Sequence, residues 1–388
     1  MKRRLFEDWN AYLTVAASND PSEDIISFHS RSMGREVRVE PSLEHQPDGI
    51  SSVAIAAGIK HEGVLDFAVV KLDRPGPAAA VFTKSLCPAN GVVFDKRNLA
   101  DGRAQLLAVV SKNANVFTPR GEEDTRALAR VLASEFGVSE GDVVLSFTGV
   151  IGVPLPIGKL ERVVPHLSEQ LRPHALDDAA RAILTTDRGP KVCSVRVGDV
   201  VIAAMAKGAG MIEPDMATML VYFFTNASLH AHRLKAILVD AAERTFNSIS
   251  VDSDTSTSDT VAMFSTSRAA VDADAEADFL DAVRCMSIKL ARDIVAQSEG
   301  ATKLVECTVA LDTTPRDAKI MAKKIINSPL VKTAVHGGDP NWGRVVMAIG
   351  KPDGRLEIRG LAPTDVVIEM MGQVVFSRAE PIATDLRT

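Results

Sequence analysis

The segment from Lys207 to Asn226 carries the residue types in this chain that are most able to do chemistry. It reads KGAGMIEPDMATMLVYFFTN, so a lysine and two glycines precede a proline and a threonine. Gly208 and Gly210 permit backbone conformations that other residues resist. Thr218 stands where this loop gives way to an apolar run typical of a β-strand. A hydroxyl at such a junction is well placed to act as a nucleophile.

The chemistry open to Thr218 is cleavage of the peptide bond that joins it to Ala217. If the loop strains this bond, the hydroxyl attacks the carbonyl carbon of Ala217, and water hydrolyses the ester that forms. The new N-terminal Thr218 combines nucleophile and general base, because its own amino group accepts the hydroxyl proton. Spacing alone leaves a second interpretation open, a glycine-containing hairpin loop before a buried strand. A dinucleotide-binding loop is excluded, since Glu213 occupies the position of the third glycine.

Strands and helices alternate on both sides of this segment. Runs of β-forming residues predict strands from Ile50 onward, including Val64–Val70, Ala79–Phe82, Leu106–Val110, Val143–Phe147 and Val200–Met205. Apolar residues at three- and four-residue steps predict helices over Glu122–Phe136, Leu176–Leu184, His230–Phe246, Ala273–Gln297 and Arg316–Ile326. Residues 1–49 are polar and broken by proline and glycine, which favours an N-terminal extension. The alternation predicts an α/β layered fold, but it lacks the regular βαβ repeat of a doubly wound sheet.

Composition excludes several classes of function. The chain has 388 residues, of which 46% are hydrophobic, and this is enough to bury a full core. Its 44 basic and 50 acidic residues give no excess of positive charge, which argues against nucleic acid as a partner. No stretch is apolar enough for a membrane span, and Glu7 and Asp8 interrupt the basic start before a secretory signal can form. With four cysteines at unrelated spacings, we expect a cytoplasmic protein with a small-molecule substrate.

Several ordered motifs, together with Lys207–Leu220, resemble the ornithine acetyltransferase family, the bifunctional glutamate N-acetyltransferases of the cyclic arginine pathway. They are KNANV at Lys112–Val116, TGVIGVPLP at Thr148–Pro156, TTD at Thr185–Asp187, VDSDTSTSDT at Val251–Thr260, EGATK at Glu299–Lys303 and NSPLVKTAVHGGDPNWGR at Asn327–Arg344. The resemblance covers roughly residues 50–355, and Lys112–Val116 is most similar to relatives from clavulanic-acid-type gene clusters. It implies the α-β-β-α sandwich of self-processing N-terminal-nucleophile enzymes. Cleavage would divide the catalytic domain into an α piece over residues 50–217 and a β piece over 218–388.

The same resemblance implies roles for individual residues. Thr148–Gly149 would form the oxyanion hole, where preorganised donors stabilise the negative charge that develops on the acetyl oxygen. Lys207 would contact substrate, and a cation there suits an α-carboxylate, while Glu299 would pair with a substrate ammonium group. One member of the pair Thr185–Thr186 would also bind substrate, and the sequence does not say which. From residue types alone, each position is equally compatible with a plain turn or a solvated charge.

The implied reaction is a ping-pong acetyl transfer. Thr218 takes the acetyl group from N-acetylornithine or a related N-acetyl amino acid and passes it to glutamate. Because the donor is itself an amide, no cofactor is required, and acetyl-CoA serves only members able to use it. We expect self-assembly as two α and two β pieces, a heterotetramer. Arginine biosynthesis and antibiotic biosynthesis both stay open as pathways.

Two other functions stay open from the sequence. A self-processing amidohydrolase or aminopeptidase would use the same Thr218 but pass the acyl group to water. A degenerate homologue would fold and only bind partners, although its site residues would then have no reason to be intact. Relatives usually continue for several dozen residues beyond the point that matches Phe376. Part of the substrate pocket is therefore expected to be absent, rebuilt, or supplied by another subunit.

No metal site is expected. The acidic run Asp252–Asp259 resembles a calcium loop, but an EF-hand needs glycine and glutamate where Thr257 and Met263 stand. The 8 histidines are scattered and provide no ligand set, and His336 is expected to pack near the site rather than act in it. We expect the acidic run to form a hydrogen-bonded loop near the site.

Overall fold

The computed structural model describes residues 26–61, 63–213, 219–311, 314–358 and 360–383, and residues 11–18 by their backbone. The predicted scissile bond between Ala217 and Thr218 lies outside the described residues. The strands are β1 (Ala11–Ser18), β2 (Ser27–Ser30), β3 (Arg35–Arg38), β4 (Ile50–Ile55), β5 (Phe67–Phe82), β6 (Arg103–Asn113), β7 (Val143–Val150), β8 (Arg172–Pro173), β9 (Lys191–Val197), β10 (Val200–Lys207), β11 (Leu220–Ala227), β12 (Thr260–Ala269), β13 (Leu304–Val309), β14 (Val366–Met370), β15 (Gln373–Ser377) and β16 (Glu380–Pro381). The helices are α1 (Asn90–Asn98), α2 (Gly121–Phe136), α3 (Ile157–Val163), α4 (Leu176–Ala182), α5 (Ala231–Arg244), α6 (Ala273–Ala296), α7 (Pro315–Ile326), α8 (Pro329–His336) and α9 (Trp342–Gly350).

The chain forms two compact units, of which the larger spans residues 24–299. Its strands follow the order β7-β6-β5-β12-β11-β10-β9, with β4 and β8 off this path. The long strand β5 belongs to two sheets, since its first half pairs with β4 and β6 and its second half with β12. Side chains alternate between the two faces of a strand. On β11, Tyr222 and Phe224 lie in one apolar core, whereas Val221 and Phe223 lie in another.

Three apolar cores separate four layers in the larger unit. The central core joins β10, β11 and β12 of one sheet to β5 and β6 of the other. One outer core packs α5 and α6 against the first sheet, and the other packs α2 and α3 against the second. The larger unit is therefore an α-β-β-α sandwich, which confirms the predicted fold class.

The smaller unit combines β1 with the residues from Gly300 onward. Its sheet has the order β13-β1-β14-β15-β16, and β1 runs parallel to β14. Helices α7 to α9 contribute to its core, in which Trp342 stacks on Phe376 with ring centroids 4.7 Å apart. The side chain of Asn341 accepts the Arg344 amide and starts α9. None of the helices in the described part of the chain has the length and apolar character of a membrane span.

Two regions differ from the sequence predictions. Val64–Val70 and Ala79–Phe82 were expected to be separate strands, but most of the first and all of the second lie in β5. The ladder between β5 and β6 shifts register between Lys71 and Gly76, and a proline without an N–H is tolerated at such an irregularity. Residues 1–49 were expected to form an extension, yet β2 and β3 pair as a hairpin whose Phe28 is buried in the outer core with α6. Strands of four residues are too short for their alternation to stand out in the sequence.

Candidate active site

The strands β7 and β10 bring the first two predicted site residues together. Because side chains alternate, Thr148 shares the inner face of β7 with Val144, and Lys207 shares the inner face of β10 with Met205. The Nζ atom of Lys207 donates a hydrogen bond to Oγ1 of Thr148 over 2.9 Å. Only 4% of Thr148 and 3% of Lys207 are exposed. Two motifs from distant parts of the sequence therefore meet at one end of the sandwich interior.

This hydrogen bond determines how the Thr148 hydroxyl can be used. A hydroxyl has one proton to donate and two lone pairs that accept, whereas an ammonium group only donates. Lys207 occupies one lone pair and leaves the hydroxyl proton to donate elsewhere. A fixed hydroxyl donor in a buried position is what stabilisation of an oxyanion requires.

Gly149, next to Thr148, can only be glycine. Its φ of +138° lies in a region that L side chains rarely adopt. A Cβ atom at this position would lie 2.2 Å from the carbonyl carbon of Lys112. Lys112 lies opposite Gly149 in the parallel β6–β7 ladder and itself has a φ of +73°. The two strands thus approach each other closely at the predicted oxyanion hole, with strained backbone on one side.

Asp187 connects the loop after Lys207 to the TTD motif. Its carboxylate accepts hydrogen bonds from Nζ of Lys191 at 2.7 Å, the Gly208 amide at 2.7 Å and the Thr185 amide at 3.0 Å. The side chains of Asp187 and Lys191 are fully buried. Burial by itself would raise the pKa of Asp187, but the charges of Lys207 and Lys191 outweigh it and lower the pKa to about 2. Residue types predict no role for Asp187, whose only signal in the sequence is its place in the TTD motif.

Several cations lie close to this carboxylate. Burial lowers the pKa of Lys207, and the charge of Asp187 opposes that change. Lys112 donates from Nζ to the carbonyl oxygen of Thr185 over 2.8 Å. Burial also lowers the pKa of Lys60 to about 8 against the opposing charge of Asp66. The ionisation of each group here depends on its neighbours, which is typical of functional sites.

Glu299 lies beside the glycine loop. Its carboxylate accepts a hydrogen bond from Oγ1 of Thr186 over 2.5 Å, and its amide donates to the carbonyl oxygen of Ala209 over 2.8 Å. A Cβ atom on Gly210 would lie 3.0 Å from Oε1 of Glu299. Both Thr186 and Glu299 are exposed, so this carboxylate is accessible to a ligand. The TTD, glycine-loop and EGATK motifs therefore converge on one surface.

The acidic motif after α5 holds the backbone of the central loop. Asp252 accepts hydrogen bonds from the amides of Met211 and Ile212. At the other end of the motif, Oδ1 of Asp259 accepts the Met219 amide over 2.8 Å. Burial raises the pKa of Asp259 well above its usual range, against the opposing effects of the Met219 amide and of Lys207. The motif thus forms the expected hydrogen-bonded loop, although its residue types predict no separate role for Asp259.

His336, considered as a neighbour of the site, belongs to the smaller unit. Its Nδ1 atom lies 3.1 Å from the hydroxyl oxygen of Thr302. The site residues Thr148, Gly149, Thr185, Thr186, Lys207 and Glu299 all belong to the larger unit.

Similarity to known proteins covers most of the chain. The model of the ArgJ family matches residues 51–387. The arginine biosynthesis bifunctional protein ArgJ of Brucella suis is 45% identical over 317 residues, which are 78% of this chain and 77% of that protein. The glutamate N-acetyltransferase Oat2 of Streptomyces clavuligerus is 41% identical over 312 residues, 80% of this chain and 79% of that protein.

Solved structures are similar as well. The crystal structure of ornithine acetyltransferase from Mycobacterium tuberculosis, complexed with ornithine, is 34% identical with a TM-score of 0.43. It covers 46% of this chain and 98% of the crystallised chain. The identity over more than three quarters of these relatives and the family match agree with the motifs identified above, and the chain belongs to the ArgJ family.

Proposed function

We propose that this protein moves an acetyl group from N-acetylornithine to glutamate through an ester on Thr218, after cutting its own chain between Ala217 and Thr218. As a member of the ArgJ family the chain is an acyltransferase. The observation that carries the mechanism is the buried 2.9 Å hydrogen bond from Lys207 to Thr148, beside a glycine that no other residue can replace.

Self-cleavage comes first in the proposed sequence. The Thr218 hydroxyl attacks the Ala217 carbonyl carbon, and the negative charge that develops on the carbonyl oxygen is stabilised by Thr148–Gly149. The peptide C–N bond breaks as its nitrogen takes a proton, and water then hydrolyses the ester. The products are a carboxylate on Ala217 and a free amino group on Thr218. The pairing of Lys207 with Leu220 across β10 and β11 supports this, because Leu220 lies two residues after Thr218.

Acetyl transfer uses the same groups twice. The Thr218 amino group takes the hydroxyl proton as the oxygen attacks the acetyl carbonyl of the donor, and the proton leaves with the departing amine of ornithine. The amine of glutamate then attacks the acetyl ester and restores the Thr218 hydroxyl. Lys207 has three N–H donors, so it can hold Thr148 and a substrate carboxylate together. Its burial favours Thr148 as the main partner.

We assign the substrate contact of the threonine pair to Thr186. The Thr185 amide is bound to Asp187, and the Thr185 hydroxyl lies 3.4 Å from the same carboxylate. Thr186 is exposed and bonds to Glu299, which would receive the ammonium group of ornithine.

The first test is the mass of the purified protein under denaturing conditions. Two pieces divided before Thr218 are expected, and Thr218→Ala should remain intact and inactive. Incubation with N-acetylornithine should release ornithine only when glutamate is present, and release without glutamate would indicate a hydrolase instead. An intact wild-type chain that still transfers the acetyl group would contradict the mechanism through a new N-terminal Thr218.

A second test addresses the oxyanion hole through two neighbouring glycines, Gly149 near the end of β7 and Gly152 in the bend that follows. Gly149→Ala should lower kcat on the order of 100-fold, as loss of an oxyanion donor does in other enzymes. Gly152→Ala is the matched control, because Gly152 also has a positive φ of +81° but its Cβ would meet nothing within 4 Å. Its kcat should stay near the wild-type value.

We further propose that the cleaved pieces stay together as two α and two β pieces in the cytoplasm. The ladder between β10 and β11 spans the proposed cut, with register pairs from Lys207 and Leu220 to Ile202 and Thr225. Light scattering of the native protein would measure the assembly. Work in an antibiotic pathway is supported by the resemblance of Lys112–Val116 to relatives from clavulanic-acid-type gene clusters, and an acceptor screen in which another amine reacts faster than glutamate would favour it.

A further inference from the structure

Asp259 is a buried carboxyl to which the proposed reaction gives no task. It ends the acidic motif directly before β12 and is only 2% exposed. Its Oδ1 atom accepts the Met219 amide over 2.8 Å, while Oδ2 is buried with no hydrogen-bonding partner among the described residues. The nearby hydroxyl of Thr83 donates its proton to the Ser256 carbonyl over 2.7 Å instead. Unsatisfied buried polar atoms are rare in native proteins, and each one needs a reason.

The Met219 amide, which Asp259 accepts, suggests why this carboxyl is buried here. The Met219 nitrogen belongs to the peptide group that also contains the carbonyl of Thr218. A peptide group is rigid, so holding its N–H holds the Cα atom of the preceding residue in the same plane. Lys207, which contacts Thr148, is also close enough to Asp259 for its positive charge to oppose the rise in the pKa of that carboxyl. Lys207 therefore links Thr148 of the proposed oxyanion hole to Asp259, which holds the amide of the residue after Thr218.

We propose that Asp259 is a positioning residue for Thr218. By holding the Met219 amide, it presents the Thr218 hydroxyl to the Thr148–Gly149 donors, both in self-cleavage and in acetyl transfer. This inference rests on the proposed function of Thr218. A carboxyl with a merely structural part in the core would affect folding, but not the chemistry of the molecules that have folded.

Asp95 provides a matched control for this distinction. It is 1% exposed, its Oδ1 accepts the Leu145 amide over 2.7 Å, and its Oδ2 also lacks a partner in the described part of the chain. Asp95 lies on α1 and bonds to β7, whereas Asp259 bonds to the residue after the nucleophile. Alanine variants at the two positions therefore remove the same kind of contact from different places.

The experiment follows fresh precursor made by a short pulse of cell-free synthesis. Cleavage before Thr218 is timed by denaturing mass analysis of the soluble fraction for wild type, Asp259→Ala, Asp259→Asn, Asp95→Ala and Thr218→Ala. Asp259→Ala should slow cleavage on the order of 10- to 100-fold, the effect expected for a misplaced reacting group. Asp259→Asn keeps an oxygen acceptor for the Met219 amide and should cleave within about 3-fold of wild type, because the angle of that acceptor is preserved. Asp95→Ala should cleave at the wild-type rate in its folded fraction.

Steady-state kinetics of the matured proteins give the second readout. Asp259→Ala should lower kcat with KM for N-acetylornithine and glutamate unchanged, since Lys207 and Glu299 are untouched. If Asp259→Ala does not fold, Asp259→Glu takes its place, because the extra methylene displaces the acceptor from the Met219 amide. Wild-type cleavage and kcat in the disruptive variant, or equal slowing in Asp259→Asn, would overturn the inference. A wild-type chain that does not cleave would instead overturn the proposed function, whatever the Asp259 variants do.

Discussion

Asp187 and Asp259 are two buried carboxyls near Lys207 whose pKa values change in opposite directions. Asp187 accepts hydrogen bonds from Lys191, Gly208 and Thr185, and the nearby lysine charges lower its pKa to about 2 despite burial. Asp259 accepts one backbone amide, so burial dominates and raises its pKa. Burial alone therefore does not determine ionisation; the donors around each carboxyl do. One is an anion that holds the glycine loop, and the other is a carboxyl whose charged form is disfavoured by burial and which accepts the Met219 amide.

The largest expected effect is the loss of stability when the charge of Asp187 is removed. Asp187→Asn leaves the buried ammonium groups of Lys191 and Lys207 without a counter-charge, which should lower the free energy of unfolding by about 3–5 kcal/mol at pH 7. Asp259→Asn should change it by less than about 1 kcal/mol, because burial already disfavours the charged form of this carboxyl and the amide keeps an oxygen to accept the Met219 amide. Urea unfolding in the Thr218→Ala background keeps the chain in one piece and measures both.

Asp240 is the control for this comparison. It accepts hydrogen bonds from Arg244 and Arg284, but 29% of its side chain is exposed. Asp240→Asn should cost less than about 1 kcal/mol, as partly exposed ion pairs do. Similar losses for Asp187→Asn and Asp259→Asn would contradict the opposite pKa changes of the two carboxyls.

The next largest effect concerns Lys207, whose charge acts on both carboxyls. Lys207→Met keeps most of the buried side-chain volume but removes the donor to Thr148, and kcat should fall on the order of 100-fold. The pKa of Asp187 should rise, since the largest opposing charge is lost. NMR titration of labelled aspartates and steady-state kinetics measure the two effects. An unchanged kcat would separate the charge network from catalysis.

The smallest effect is the pH dependence of stability, which should have opposite signs at the two carboxyls. Asp187 has a lowered pKa, so its contribution is present above the unfolded value near 3.8 and is lost as the pH falls toward 2. That contribution is about 2 kcal/mol, at 1.36 kcal/mol for each pKa unit. Asp259 has a raised pKa, so its contribution is present below the unfolded value and is lost as the pH rises toward the folded one.

Unfolding curves between pH 3 and pH 7 resolve these signs. The stability difference between the parent and Asp187→Asn should grow with pH, because the ionised carboxylate is the favourable form. The difference between the parent and Asp259→Asn should shrink with pH. Two differences that change in the same direction would contradict the opposite pKa changes of Asp187 and Asp259.

The sequence predicted what depends on local patterns. Apolar periodicity located α2 and α6 to within one residue, and the ordered motifs identified the family and the layered fold. The contact between Lys207 and Thr148 could not be derived from spacing, because it depends on the strand order that separates β10 from β7. The opposite pKa changes of Asp187 and Asp259 were equally inaccessible, since burial and donors from other segments decide them. The roles of Thr148, Gly149, Lys207 and Glu299 stay predictions.

The ladder between β10 and β11 has a consequence for how the protein assembles its fold. Its two strands come from opposite sides of the proposed cut and are almost completely buried. Before cleavage, one loop keeps these strands at a high effective concentration; after it, the two pieces must meet by diffusion. Refolding of the matured protein should therefore become bimolecular, with a rate that rises with concentration, while Thr218→Ala refolds at a rate independent of it. Maturation would then be irreversible in a second sense. It creates the reactive amino terminus of Thr218, but the cleaved protein can no longer refold as a single chain.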